Sequence, residues 1–162
     1  MTLSTKFATA LLLGTLSTTV ISSNIFPRGC EVSGYGFSQP FLVLNEKGNQ
    51  AFYMIQNRTN HMIELEHHET RKDVFMSPTL ATEIAANQWA AFASDVNNFY
   101  FKCYRKQGSE RTLMHCRDAL DICQYPRVKF ALSNMGNYWV ATNKTQAQVI
   151  REATRKGIFL HW

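Results

Sequence analysis

Four cysteines constrain the fold of this chain more than any other feature. They are Cys30, Cys103, Cys116 and Cys123 in a sequence of 162 residues. In an exported chain of this size, four cysteines are most simply explained by two disulfide bonds, for which three connectivities exist. Three of the four lie in a segment where strand-like runs alternate with turn residues. We therefore predict a β core that is braced by disulfides.

The spacing of the cysteines favours one pairing without excluding another. If the runs on either side of Gly108 form a hairpin, Cys103 and Cys116 lie nearly opposite each other, as a disulfide requires. Cys30 then pairs with Cys123 and ties the N-terminal segment to the core. The rival pairing joins Cys30 to Cys103 and Cys116 to Cys123. It fails if a regular helix separates the last two, because seven residues along a helix span about 10 Å.

Residues Met1 to about Ser23 have the layout of a secretory signal. One positive charge at Lys6 precedes an apolar run of about ten residues and then small polar residues. The apolar run is too short to cross a bilayer, which needs about 20 residues. We therefore predict a periplasmic or secreted protein that is not an integral membrane protein. Residues 24–162 are expected to form a single domain.

Charge is divided unevenly along the predicted mature chain. Residues 24–100 hold 5 Lys and Arg against 8 Asp and Glu, a net charge of −3, whereas residues 101–162 hold 11 against 4, a net charge of +7. A basic half in an exported protein could face an anionic glycan, phospholipid head groups or an acidic partner. The Lys and Arg are scattered along the sequence, however, which favours an ordinary mixed and solvated surface. Nucleic acid is not expected, because no basic-aromatic motif of the known binding modules is present.

The pattern of short strands and turns predicts an all-β fold. Residues 45–49, Asn-Glu-Lys-Gly-Asn, predict a hairpin between the runs Phe41 to Leu44 and Gln50 to Gln56. From residue 62 onward, apolar residues alternate with glutamates, which is typical of a strand with one solvated face. Two further strands, about Thr79 to Ile84 and Gln88 to Ala93, are expected to turn at Asn87. Roughly seven to nine short strands favour an antiparallel β-sandwich.

One α-helix is predicted, at about 145–157. Thr145 and Gln148 have the spacing of a capping box, and Gly157 supplies the stop. Glu152 and Lys156 are placed as a favourable i, i+4 ion pair. We expect this helix to pack on an edge or over one end of the sandwich.

No residue pattern indicates catalysis, a metal or a cofactor. The sequence has no nucleophile elbow and no phosphate-binding glycine loop, and all four cysteines can be paired. The histidines and glutamates of residues 61–69 do not place three ligands on one face of a strand. Asp118 and Asp121 could form an acid/base pair, but they are better explained as solvated loop residues. We therefore predict that the protein is not an enzyme and binds no cofactor.

A binding surface is expected to combine aromatic and basic residues, because aromatic side chains and arginines mark many interfaces. Trp89 and Trp139 are assigned to the core instead. The remaining aromatic candidates and the basic residues of the predicted helix form the candidate binding surface, which consists of Tyr35, Tyr125, Trp162, Arg151, Arg155 and Lys156.

Several blocks of the sequence resemble a small bacterial family. They are RGCEVSGYGF near the mature start, WAAFASD in the middle, and CQYPRVKFALSNMGNYWVATNK before the helix, with a terminal Lys-Gly-Ile-x-Leu-x-Trp. Together they resemble the B component of the enhanced-entry locus of intracellular pathogens. The resemblance covers nearly the whole mature chain and supplies no catalytic residues.

The resemblance implies an exported, virulence-associated protein that supports entry into host cells or survival inside them. A Sel1-repeat protein encoded beside it is the implied partner. We therefore expect a non-catalytic periplasmic or envelope protein that acts through protein–protein contacts, with glycan contact as a further possibility. The alternative is an envelope glycan-directed enzyme or a glycan-binding module.

Overall fold

The structure is a computed structural model that describes residues 25–44, 50–68, 80–94, 99–131 and 136–161. The predicted secretory signal and Trp162 lie outside these residues. Within them, no helix combines the length and the apolar character needed to cross a membrane.

Twelve strands and two helices make up the described part of the chain. In chain order they are β1 Tyr35–Ser38, β2 Phe41–Leu44, β3 Ala51–Asn57, β4 Met62–His67, β5 Thr82–Ile84, β6 Trp89–Ser94, β7 Phe99–Gln107, β8 Glu110–Met114, α1 Cys116–Ala119, β9 Leu120–Tyr125, β10 Val128–Phe130, β11 Tyr138–Lys144, α2 Gln146–Arg155 and β12 Ile158–Leu160. The strand count exceeds the predicted seven to nine, and three of the strands, β5, β10 and β12, are only three residues long.

The strands form two packed antiparallel sheets and a separate ribbon. The larger sheet has the order β1-β2-β7-β4-β5, with β8 also paired to β7. β2 pairs with the start of β7 and β8 with its end, so these two strands lie end to end along one edge of β7. The smaller sheet has the order β11-β6-β3-β9, and β10 pairs with β12 alone. The predicted β-sandwich is confirmed.

The smaller sheet is buried on both of its faces. Alternate residues such as Tyr53, Ile55 and Phe92 join the core between the two sheets. Their neighbours Phe52 and Met54 join a second core, which α2, the β10–β12 ribbon and the N-terminal segment cover. This double burial explains why all six residues of β6 are buried.

The predicted hairpin around residues 45–49 is wrong. These five residues lie outside the described part, but the strands on either side of them belong to different sheets: β2 pairs with β1 and β7, whereas β3 pairs with β6 and β9. The run Ala51–Asn57 is apolar on both faces and therefore suits the centre of the doubly covered sheet. The chain crosses between sheets here.

The two disulfides are those of the favoured pairing. Cys103 and Cys116 are bonded with their Cα atoms 5.2 Å apart, beside the β7–β8 hairpin. Cys30 and Cys123 are bonded with their Cα atoms 5.4 Å apart. The second bond fixes the N-terminal segment against β9, where Glu31 and Gln124 also exchange two backbone hydrogen bonds of 2.8 Å. The chain turns between β5 and β6 as predicted, with Asn87 at φ 59°.

Helix α2 begins and ends as the sequence predicts. Thr145 accepts a hydrogen bond from the backbone of Gln148, whose side chain accepts one in return from the backbone of Thr145. Gly157 stops the helix at φ 73°. The predicted pair of Glu152 with Lys156 is wrong. Glu152 pairs with the arginine three residues later instead, and Lys156 donates to a carbonyl of β11 at 2.6 Å.

Candidate binding surfaces

The structure does not bring the predicted binding residues together. Arg151, Arg155 and Lys156 are exposed on α2, at the outside of the layer that covers the smaller sheet. Tyr35 lies on β1 of the larger sheet, in a different layer, and is half buried. Burial raises the pKa of the Tyr35 phenol, and the negative charge of Asp121 raises it further.

Tyr125 is wrong as a surface residue. Its side chain is fully buried in the second core, and its hydroxyl donates to the carbonyl of Arg28 at 3.2 Å. Tyr125 lies two residues after Cys123 on β9, so both side chains point to the same covered face. Burial raises the pKa of the Tyr125 phenol.

The outward face of the larger sheet carries a network of paired charges. Glu64, whose side chain is only 12% exposed, lies 2.9 Å from Arg111 and 3.7 Å from Lys106. Arg111 also pairs with Glu66, and Lys106 with Glu83. The hydrogen bond to Glu83 raises the pKa of Lys106. Two cations are therefore balanced by three carboxylates on neighbouring strands.

Aromatic and apolar side chains share this face with the charges. The guanidinium of Arg111 lies 4.1 Å from the ring centroid of Tyr104. Further along, Phe41 stacks on His68 at 5.0 Å and meets Tyr100 edge-on at 6.4 Å. At the edge strand β8, the side chain of Leu113 is half exposed. We call this surface the large-sheet face; its apolar members are Phe41, Tyr100, Tyr104 and Leu113.

A second exposed surface lies on the opposite side of the molecule. Lys129 of β10 is paired in register with Phe159 of β12, and both side chains point outward because their neighbours along each strand are buried or half buried. Phe159 is 49% exposed. Arg127 lies two residues before Lys129, and His161 lies two residues after Phe159. The backbone N–H of His161 donates to the carbonyl of Arg127 at 3.0 Å. With the exposed Arg151 and Arg155 of α2, these residues form what we call the helix–ribbon face.

The two faces explain where the excess positive charge of the C-terminal half lies. Part of that charge, on β7 and β8, is neutralised by glutamates of β4 and β5 on the large-sheet face. Among the described residues of the helix–ribbon face, four Lys and Arg accompany one carboxylate, that of Glu152, which is bound by Arg155. Among the described residues, no ion pair engages Arg127, Lys129 or Arg151. Among the described residues, the helix–ribbon face therefore carries a net positive charge.

The aspartates considered as an acid/base pair have structural contacts instead. Asp121 lies 3.3 Å from Arg58, and Arg58 also donates to the carbonyl oxygens of Arg117 at 2.6 Å and Asp118 at 3.4 Å. Arg58 thereby holds the short helix α1 against the turn that follows β3. The charge of Asp121 serves this packing, whereas Asp118 contributes its backbone carbonyl and its side chain is exposed.

The described residues offer one open apolar depression and no metal-binding cluster. They contain no group of three or more His, Cys, Asp and Glu placed to hold a metal ion. One open apolar depression of about 210 Å³ is lined by Pro27, Arg28, Tyr125 and Ile150. This volume is below the roughly 300 to 1,000 Å³ of typical small-molecule sites. The two exposed faces are therefore the main candidates for function.

Comparison with protein-family models, curated proteins and solved structures found no match for this chain. The structure itself defines the class: a disulfide-braced antiparallel β-sandwich whose outer layer contains one helix and a two-stranded ribbon.

Proposed function

We propose that this chain is an exported, non-catalytic envelope or periplasmic protein that acts through protein–protein contacts, and that the large-sheet face is the contact surface. The observation that carries the proposal is the half-exposed Leu113 beside Tyr104. Leu113 is 50% exposed, and its register partner on β7 is Tyr104. Interfaces are enriched in aromatic residues and arginine, and a few such anchors supply most of the binding energy.

The charged groups of this face support the same role. Arg111 is held by Glu64 and Glu66 while it lies over the ring of Tyr104. Its side chain therefore loses little conformational freedom when a partner covers it, which lowers the entropic cost of association. The paired charges also favour one partner orientation over others, because a misplaced partner would bring like charges together.

The edge strand β8 extends the contact surface. A two-residue turn joins β7 and β8, and the hydrogen-bonded pair Gln107–Glu110 closes it. Hydrogen-bonded and non-hydrogen-bonded pairs then alternate, so the backbone N–H and C=O groups of Arg111 and Leu113 point away from β7. No described strand pairs with this edge. A partner segment in extended conformation would add main-chain hydrogen bonds at β8 and cover Leu113 at the same time.

The compartment and the biological role complete the proposal. Two disulfides are compatible with an oxidising, extracytoplasmic environment. The resemblance to the B component of the enhanced-entry locus points to host-cell entry or intracellular survival, with a Sel1-repeat protein as the proposed partner. Such helical-repeat proteins offer extended concave surfaces that suit an exposed sheet face.

The test is crosslinking in the native cell followed by affinity capture of the protein and mass spectrometry. We compare the wild-type chain with the Leu113→Glu variant, and we use Phe159→Ser as the matched control, because Phe159 is equally exposed on the opposite face. The expected result is one reproducible envelope protein that is lost with Leu113→Glu and retained with Phe159→Ser. Its crosslinks should include Lys102, which lies on the large-sheet face.

Two results would overturn this proposal. A partner that is retained by Leu113→Glu places the contact on another surface. Recovery of peptidoglycan fragments without any protein favours the glycan-binding alternative, and turnover of those fragments by the purified chain would show an enzyme. Thermal unfolding of both variants must match that of the wild-type chain, so that loss of the partner reports on the contact and not on folding.

A further inference from the structure

The helix–ribbon face differs from the large-sheet face in the state of its charges. Arg127, Lys129 and Arg151 are exposed, and among the described residues no side chain forms an ion pair or a hydrogen bond with their charged groups. They come from three places in the chain: the turn before β10, β10 itself and helix α2. The packing of the ribbon beside α2 brings them to one side of the molecule.

An exposed aromatic residue lies among these cations. Phe159 is directly opposite Lys129 in the β10–β12 register, and about half of its side chain is accessible. The alternate residues of the ribbon, Phe130 and Ile158, are buried against the smaller sheet. The ribbon is therefore anchored on its inner side, and it presents a phenylalanine flanked by positive charge on its outer side.

We infer that the helix–ribbon face binds the surface of an anionic lipid bilayer, with Phe159 at the boundary between head groups and acyl chains. Basic residues around an exposed aromatic side chain are typical of interfacial membrane binding. Negatively charged lipids attract Lys and Arg near the membrane surface, and each such residue increases the binding constant by a factor of about five. This inference is independent of the proposed protein contact, which uses the opposite face.

The geometry favours lipid over an acidic protein as the occupant. Recognition of carboxylates on a protein depends on cations held in a fixed orientation, often a bidentate arginine. Among the described residues, no side-chain partner holds Arg127, Lys129 or Arg151 in that way, in contrast to Arg111 on the large-sheet face. A fluid layer of lipid head groups needs no fixed geometry and responds to the sum of nearby charges.

The orientation also keeps the other face available. The larger sheet and the helix–ribbon layer lie on opposite sides of the smaller sheet. A molecule that lies on a membrane through Phe159 therefore presents Leu113 and Tyr104 to the aqueous side. Membrane binding and protein binding are then compatible in the same molecule.

Sedimentation with lipid vesicles tests the inference on the purified, oxidised chain. The probe is phosphatidylcholine vesicles with and without phosphatidylglycerol, at low and high salt. We expect binding only when phosphatidylglycerol is present, and weaker binding at high salt. The double substitution Arg127→Gln with Lys129→Gln should weaken binding about 25-fold, from two factors of about five. Phe159→Ser should weaken it roughly fivefold, because about half of that apolar side chain is accessible.

The control separates this face from net charge alone. Lys102→Gln with Arg105→Gln removes the same charge from β7 of the larger sheet. Binding should be retained within about twofold, since screened charges in the sheet that lies farther from the membrane contribute little. Equal weakening by both double substitutions would overturn the inference, as would binding that ignores phosphatidylglycerol. An acidic protein captured through Phe159, with no vesicle binding, would assign this face to a protein partner instead.

Discussion

The two disulfides are expected to stabilise the fold by different amounts. In the chain-entropy description, a disulfide stabilises by restricting the unfolded chain, and the effect grows with the length of the loop that it closes. Cys30 and Cys123 are 93 residues apart, whereas Cys103 and Cys116 are 13 apart. At 25 °C this gives about 4.5 kcal/mol for the long loop, allowing for the shorter bond inside it, and about 3 kcal/mol for the short loop.

Packing alone predicts the opposite order. Cys103 and Cys116 are both buried in the core between the sheets, whereas Cys30 is partly exposed. If lost packing dominated, replacing the pair Cys103 and Cys116 by alanine would cost more than replacing Cys30 and Cys123. The sign of the difference between the two double variants therefore distinguishes the two mechanisms.

Urea denaturation of the wild-type chain and of the two double alanine variants measures this difference. We expect the variant Cys30→Ala with Cys123→Ala to lose about 1.5 kcal/mol more free energy of unfolding than Cys103→Ala with Cys116→Ala. Equal losses, or a larger loss for the short loop, would refute the argument from loop entropy. Reduction of the wild-type chain should lower its stability further than either double variant, because both loops are then open.

Three further outcomes follow from buried polar groups, helix capping and tyrosine burial. Asn57→Ala should lower the free energy of unfolding by about 1 to 3 kcal/mol, because the buried amide of Asn57 donates to two backbone carbonyls at 2.7 and 2.8 Å. Urea denaturation measures this loss, and an unchanged free energy of unfolding would contradict the prediction. Thr145→Ala should cost about 1 kcal/mol by loss of the N-cap, with Thr145→Asn near wild type as the control in the same assay. Burial raises the pKa values of Tyr35, Tyr125 and Tyr138 above 10.0. The stability that these phenols contribute is therefore complete below about pH 10 and is lost as the pH rises through their pKa values in the folded state. Denaturation curves at a series of pH values, together with phenolate absorbance, would measure this loss. Constant stability from pH 9 to 11 would disprove this account.

Local features of the fold could be predicted from the sequence, because they depend on neighbouring residues. The β7–β8 hairpin follows from its turn at Gly108. In that hairpin Cys103 is opposite Met114, which brings Cys116, two residues further on, within bonding distance of Cys103. The helix follows from the capping residue Thr145 and the stop at Gly157. In each case the determining residues lie within about a dozen positions of one another.

Pairings between distant segments could not be predicted in the same way. The turn-rich residues 45–49 are compatible with a hairpin, and only the partners of β2 and β3 show that the chain changes sheets. Those partners are strands far along the chain. The ion-pair partner of Glu152 could not be predicted either, because Arg155 and Lys156 are both within reach of it. In the folded chain Glu152 pairs with Arg155, and Lys156 donates to a backbone carbonyl of β11.

The exposed surfaces that we propose for binding could be predicted only in part. The exposed arginines of α2 were identified, but Tyr125 was placed on the surface although its spacing from Cys123 signals a shared buried face. Phe159 and Lys129 were missed, and a sequence signal for them existed. In Val128–Phe130 a lysine stands between two apolar residues, which predicts that its side of the strand is solvent exposed. Phe159 lies on that side because it is the register partner of Lys129.

Because the smaller sheet is buried on both faces, its central strands have no solvent-exposed side. Along β3, Tyr53 and Ile55 fill one core, while Phe52 and Met54 fill the other. A single inserted residue would exchange these two sets, so that each core received side chains shaped for its neighbour. Edge strands such as β8 can absorb such an insertion by shifting into solvent, but β3 cannot. Insertions and deletions should therefore be tolerated only in the connections between strands, and the slowest amide exchange among the described residues should be found on β3 and β6.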